Sequence, residues 1–178
     1  MSAAGTFSIN RAPVLTLWAA VVARRLGFAW PEALTLGRAV AGLNAYSKGV
    51  SLGIFKPTPE AVRRERKAAR ARLRLRVVLM GRLVPVTRTR DGLVATSGGR
   101  PISPGSVERY LHGKFAEHYG PARTAMAGLA SSYPPQALAA AAYRLYKRFR
   151  PEVPKGAGGW GATGRLSLAH IRALKRKA

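Results

Sequence analysis

The chain has 178 residues, of which 31 are Lys or Arg and seven are Asp or Glu, so its formal net charge is +24 at pH 7. An apolar fraction of 47% excludes a wholly disordered chain, and the length suits one ordinary domain or two small ones. The absence of cysteine excludes a disulfide framework and a Cys-based metal site, and it fits a reducing compartment. So large a positive charge favours a polyanionic partner, because cation–phosphate contacts release condensed counterions. Nucleic acid is therefore expected ahead of anionic membranes or acidic proteins.

The first predicted element is an apolar helix from Pro13 to about Leu26, closed by Gly27. Its most apolar part, residues 12–23, is too short to cross a bilayer of about 30 Å. Only one basic residue precedes it, which argues against a secretory signal peptide. We therefore expect a cytoplasmic protein with no membrane partner.

Two further helices are predicted before the middle of the chain. One begins at Pro31, has Glu32 in its first turn where the helix dipole favours an anion, and ends near Lys48. The next begins at residues 58–60, where a capping hydroxyl, a proline and an acid follow one another, and it runs to about Arg70.

The first two helices carry the stretch VARRLGFAWPEALTLGRAV, residues 22–40. Ala23 allows close approach of two helices, and Gly27 accepts the positive φ of a tight turn. The apolar positions that flank them are Val22, Leu26, Phe28, Ala33 and Leu36. On these residues the stretch resembles the helix-turn-helix motif of DNA-binding proteins.

The resemblance implies that the second helix is a recognition helix, with Glu32, Thr35 and Arg38 facing base edges in a major groove. A purely structural helical hairpin with a glycine turn gives the same pattern, and both interpretations stay open here.

The strongest functional signal is the basic run AVRRERKAARARLRLR, residues 61–76. On a helix its cations recur at the i, i+3, i+4 spacing of one face, which predicts a stripe that follows a phosphate backbone. The stripe consists of Arg63, Arg66, Lys67, Arg70 and Arg74, with Arg64 beside it. A solvated helix face normally mixes charges of both signs, but here only Glu65 is acidic. We therefore favour nucleic-acid binding over a merely solvated face.

The end of this run changes its period. Leu73, Leu75, Val77 and Leu79 alternate with Arg72, Arg74, Arg76 and Val78. Period two indicates a strand with one buried face, and Gly81 and Asp91-Gly92 then turn the chain into a small antiparallel meander. Continuation of the helix to Leu79 is the alternative. The expected fold class is mainly α with this small β-meander (α+β).

The turn-rich stretch SGGRPISPGS predicts a boundary. Residues 1–98 would hold the helical hairpin, the basic helix and the meander, and residues 99–178 a helical part packed with them as one unit. The helices expected in the second part span residues 106–119, 121–131 and 135–150, followed by a loop and a last helix capped by Ser167.

A second basic cluster shares its helix with three aromatic residues: the cations are Arg144, Lys147, Arg148 and Arg150, and the aromatic residues are Tyr143, Tyr146 and Phe149. Aromatic stacking on exposed bases is conceivable there, but aromatic residues at helical spacing are more often part of a core, which is the expectation here. The glycine-rich GAGGWGATG lacks the residue order of a phosphate loop, so we expect Trp160 to plug it into the core.

Catalysis has little support in the sequence. The seven acids are scattered, and His112 and His118 are six residues apart, which is the wrong helical spacing for a shared metal ion. We expect a protein that is not an enzyme, with no cofactor and no metal site. A nucleic-acid-processing enzyme with a site assembled across the fold is the alternative from another class.

We thus expect a nucleic-acid-binding protein associated with the nucleoid, with duplex DNA favoured over structured or ribosomal RNA because no RNA-module signature is present. A homo-oligomer is left open. The residues expected to bind nucleic acid are Arg38, Lys48, Arg63, Arg64, Arg66, Lys67, Arg70, Arg72, Arg74, Arg76, Arg144, Lys147 and Arg148.

Overall fold

A computed structural model describes residues 5–51, 60–62, 64, 75–153 and 162–177 of the chain. The elements, in chain order, are β1 (Thr6–Asn10), α1 (Arg11–Arg25), α2 (Trp30–Ser51), β2 (Arg76–Leu79), β3 (Arg82–Thr89), β4 (Gly92–Ser97), β5 (Arg100–Pro101), α3 (Pro104–Phe115), α4 (Tyr119–Ser131), α5 (Pro135–Phe149), β6 (Thr163–Ser167) and α6 (Leu168–Ala173). Helices dominate, and the strands form one sheet of four and one of two. The predicted α+β class is confirmed.

Helix α1 lies at the centre of the fold, and every residue from Pro13 to Ala23 is buried. A helix without a polar face is stable only when it is surrounded, and α1 contacts α2, α3, α4 and α5. Trp18 Nε1 donates to the carbonyl of Ala142 on α5 at 2.9 Å, so its polar edge is satisfied inside the core. The core draws residues from both sides of residue 98, and the division of the chain there stays a prediction.

Helices α1 and α2 form the predicted antiparallel pair. Gly27 in the connection has a φ of +112°, a conformation that glycine adopts without strain. Gly37 on α2 lies directly against α1, because a Cβ built there would meet the carbonyl oxygen of Thr16 and, at 2.9 Å, the amide nitrogen of Ala20. The two helices therefore approach to backbone contact.

The four-stranded sheet has the order β2-β3-β4-β5, and all its neighbours are antiparallel. Met80 and Gly81 both have positive φ, as in the two-residue turns that match strand twist. Val77 and Leu79 turn toward the core while Arg76 and Val78 are more exposed. The predicted meander and the predicted alternation are confirmed over residues 75–97, while residues 72–74 lie outside the described part.

The structure also contains a two-stranded sheet, which the sequence did not predict. Strand β1 pairs with β6 from Thr6 opposite Ser167 to Asn10 opposite Thr163. The glycine-rich loop was expected to extend to residue 164, but its end belongs to β6, where a Cβ at Gly164 would collide with the backbone of Glu152. Trp160 and its predicted role lie outside the described residues.

The C-terminal helices are present with shifted boundaries. Helix α3 begins at Pro104 rather than at residue 106, because Ser103 is the cap and accepts from the amide of Ser106 at 3.3 Å. It ends before Ala116, whose φ of +50° interrupts the helix that was expected to reach residue 119. The Ser167 cap of α6 is confirmed by its hydrogen bond from the amide of His170 at 3.2 Å.

Candidate nucleic-acid interface

Much of the predicted basic stripe lies outside the described residues. These positions are Arg63, Arg66, Lys67, Arg70, Arg72 and Arg74, together with the side chain of Lys48. Glu60, Ala61, Val62 and Arg64 are helical, in keeping with the predicted third helix. Arg64 Nη2 lies 2.9 Å from Glu60 Oε1, and the two side chains are 79% and 74% exposed. A pair so exposed contributes little to stability, so Arg64 remains accessible to a partner.

The predicted cluster on α5 is fully described, and we call Arg144, Lys147 and Arg148 the α5 stripe. All three side chains are exposed. The opposite face of the helix is buried and consists of Leu138, Ala141, Ala142, Leu145, Tyr146 and Phe149. The i, i+3, i+4 spacing places the cations on one face, and at 1.5 Å per residue Arg144 and Arg148 are about 6 Å apart along the axis. That distance is comparable with two axial rises of about 3.4 Å, the rise along the duplex axis between successive phosphates of one DNA strand.

Two contacts with neighbouring side chains position the α5 stripe. His170 Nε2 lies 2.9 Å from the carbonyl oxygen of Arg148, which links α6 to the last turn of α5. The Lys147 ammonium lies 5.5 Å from the centre of the Tyr143 ring. Tyr146 is buried, so its expected place in the core is confirmed and it offers no surface for stacking on bases.

The residues expected to read base edges are not all available for that role. Thr35 is fully buried, and its Oγ1 accepts from the amide of Ala95 on β4 at 2.9 Å. Glu32 Oε2 accepts from the amide of Leu93 at 2.7 Å. The expectation for these two residues is therefore wrong, because that face of α2 packs on the sheet. Arg38 is exposed, and the helix-turn-helix itself stays a prediction.

The guanidinium of Arg38 lies 4.7 Å from the centre of the Tyr110 ring on α3. This contact leaves the cation at the surface, and its stacking on an aromatic face restricts its orientation. Arg76, at the start of the edge strand β2, is exposed as well. The described members of the predicted binding set thus all reach solvent, on α2, β2, α5 and the short helical stretch that contains Arg64.

A network around Glu108 was missed in the sequence. Glu108 accepts hydrogen bonds from Tyr119 Oη at 2.9 Å and from Trp30 Nε1 at 3.2 Å, and His112 Nε2 lies 3.3 Å from the same carboxylate. Arg123 stacks on the Trp30 ring at 3.8 Å. Burial and the hydrogen bond to Glu108 raise the pKa of Tyr119. Because these groups satisfy one another, the network holds α2, α3 and α4 together. The i, i+4 spacing of Glu108 and His112 was its one local signal.

Positive charge is left without carboxylate partners over most of the described surface. Among the described residues, Arg64 is the only Lys or Arg with a carboxylate oxygen within 4.0 Å of its side-chain nitrogens. The same part of the chain contains no group of three or more His, Asp or Glu residues placed to hold a metal ion. None of the helices it contains combines the length and apolar character required to span a membrane.

Comparison with protein-family models, with curated proteins and with solved structures finds no significant match to this chain.

Proposed function

We propose that this protein binds nucleic acid, with duplex DNA as the preferred ligand, mainly through phosphate contacts of its basic surface. The observation that carries the proposal is the exposed positive charge without carboxylate partners in the described part of the chain. Such charges attract counterions in the free protein, and a phosphate backbone releases these ions together with its own. A protein of this kind would be found with the nucleoid in the cytoplasm.

The α5 stripe supplies the best-described contacts. Its three cations share one face, and the opposite face anchors the helix in the core, so binding does not require the helix to form anew. The predicted basic helix at residues 61–76 would extend the contact. Phosphate contacts carry little sequence information, so we expect binding to many duplex sequences with similar affinity.

The test is a titration of the full chain with duplex DNA, single-stranded DNA and a structured RNA at several salt concentrations. Affinity should be highest for the duplex and should fall steeply between about 50 and 200 mM salt. The variant R144A/K147A/R148A should bind all duplex sequences more weakly. Its slope of log affinity against log salt should be shallower by up to about 3, because each lost phosphate contact contributes about 0.9.

The matched control is R88A/R90A/R100A, which removes the same charge from exposed positions on the sheet. It should lose less affinity than the α5 variant. Replacement of Arg63, Arg66, Lys67 and Arg70 by Ala should act like the α5 variant. Weak binding to all three ligands, unchanged by salt, would refute the proposal. Tighter binding of the RNA than of the duplex would reassign the ligand.

A further inference from the structure

Arg11 is the first residue of α1, and Arg150 is the residue that directly follows α5. Arg11 Nε donates to the carbonyl of Pro151 at 2.7 Å, and Pro151 directly follows Arg150. The Tyr146 hydroxyl lies 3.5 Å from the carbonyl oxygen of Arg11, and the Arg150 guanidinium lies 5.9 Å from the centre of the Tyr146 ring. Both arginines are half-buried, and both adjoin Tyr146, Arg11 through its carbonyl oxygen and Arg150 through its guanidinium.

This arrangement is electrostatically unfavourable in the free protein. Burial lowers the pKa of Arg11, and the nearby positive charge of Arg150 lowers it further. Arg11 is also the first residue of α1, where the helix dipole disfavours a cation, and the first turn contains no acid. Glu152 offsets part of this charge, but neither guanidinium has a carboxylate oxygen within 4.0 Å among the described residues. An anion bound between the two arginines would relieve the repulsion.

The geometry points to a site for one phosphate group held by Arg11 and Arg150. With Nε of Arg11 bonded to Pro151, the terminal nitrogens of that guanidinium remain to donate, and Arg150 offers a second fork. Arg150 follows Arg148, the last residue of the α5 stripe, by two positions, so the site adjoins the end of the stripe. If the protein binds nucleic acid, as proposed above, the ligand of this site is a backbone phosphodiester or a terminal phosphate of the bound strand. Binding of a free phosphate does not depend on that function.

The first experiment uses inorganic phosphate and the full chain. Calorimetric titration should show saturable binding by the wild type, weakened about tenfold or more in R150A, because charge-assisted hydrogen bonds to the anion are lost. R150K and R11K should also bind more weakly, because a lysine keeps the charge but lacks the forked donor geometry. R88A removes one exposed arginine from β3 and should bind like the wild type. Thermal unfolding of each variant without phosphate shows whether it folds.

The phosphate titrations can overturn the site in three ways. Equal phosphate binding by the wild type and R150A, equal weakening by R88A, or no binding by the folded wild type would each overturn the site. Duplexes with and without a 5′-phosphate then identify the source of the group. Preference for the phosphorylated duplex that disappears in R150A assigns a terminal phosphate, and equal weakening of both duplexes by R150A assigns a backbone phosphate. Phosphate binding that persists while duplex binding is weak and independent of salt would overturn the proposed function and leave the site.

Discussion

Tyrosine hydroxyls inside this fold show what burial does to a single ionisable group. Desolvation raises the pKa of Tyr146 to about 12, against a usual value of 10.0, because the charged phenolate would lose its hydration in the core. Burial raises the pKa of Tyr119 and Tyr110 as well. Below pH 10 these side chains are neutral in both the folded and the unfolded chain. As pH rises from 10 toward 12, the unfolded chain loses protons that the folded chain keeps, so stability falls with pH.

Replacement of Tyr146 by Phe should make this alkaline loss less steep. A shift from 10.0 to about 12 corresponds to about 3 kcal/mol of stability lost above both values, and the variant has no such group. Chemical denaturation followed by circular dichroism between pH 8 and pH 12 measures the difference. An alkaline profile of Y146F identical to that of the wild type would contradict the assignment.

Contacts of individual residues also show why the sequence predicted some residues of the site correctly and others wrongly. The α5 stripe was predictable, because helical spacing alone places Arg144, Lys147 and Arg148 on one face. Thr35 looked like an exposed polar residue of a helix, and its burial depends on the amide of Ala95, sixty positions away along the chain. No local pattern separates a hydroxyl that faces a groove from one that satisfies a strand.

At the scale of elements, local signals predicted most of the fold. Caps, prolines and periodicity indicated the helices, and glycines at two turns, Gly81 and Gly92, indicated the meander. The β1–β6 pair was missed because both strands have only five residues and Ile9 is the only buried side chain in β1. Contact between distant parts of the chain stabilises this pair, and the residue pattern within either strand does not reveal that contact.

The crossing of α1 and α2 gives a prediction at this scale. Gly37→Ala should destabilise the protein by about 1 to 3 kcal/mol, because the added methyl group meets the backbone of α1 at Thr16 and Ala20. Gly42→Ala, at an exposed position of the same helix with nothing within 4 Å, should stabilise it by about 0.5 to 1 kcal/mol through helix propensity. Thermal or urea unfolding measures both. A stabilising Gly37→Ala would show that the helices do not cross at this distance.

At the scale of the whole molecule, the few acids act mainly within the fold. Glu32 bonds the amides of Ala29 and Leu93, and Glu108 joins three helices. Glu60 pairs with Arg64, and Glu117 lies 3.5 Å from His118. The surface that remains is therefore strongly positive, and the fold carries the repulsion of a net charge of +24.

That repulsion predicts an unusual response to ions. Raising sodium chloride from about 10 mM to about 150 mM shortens the Debye length from about 30 Å to about 8 Å, so the melting temperature should rise as like charges are screened from one another. At the lower salt concentration, a short DNA duplex should raise it further, because a ligand that binds only the folded chain shifts the unfolding equilibrium. Differential scanning calorimetry measures both effects. The variant R144A/K147A/R148A removes three positive charges, so its melting temperature should depend less on salt and respond less to the duplex. A melting temperature that falls with added salt would mean that attractive ion pairs dominate the surface, in conflict with the single Lys or Arg ion pair of the described residues.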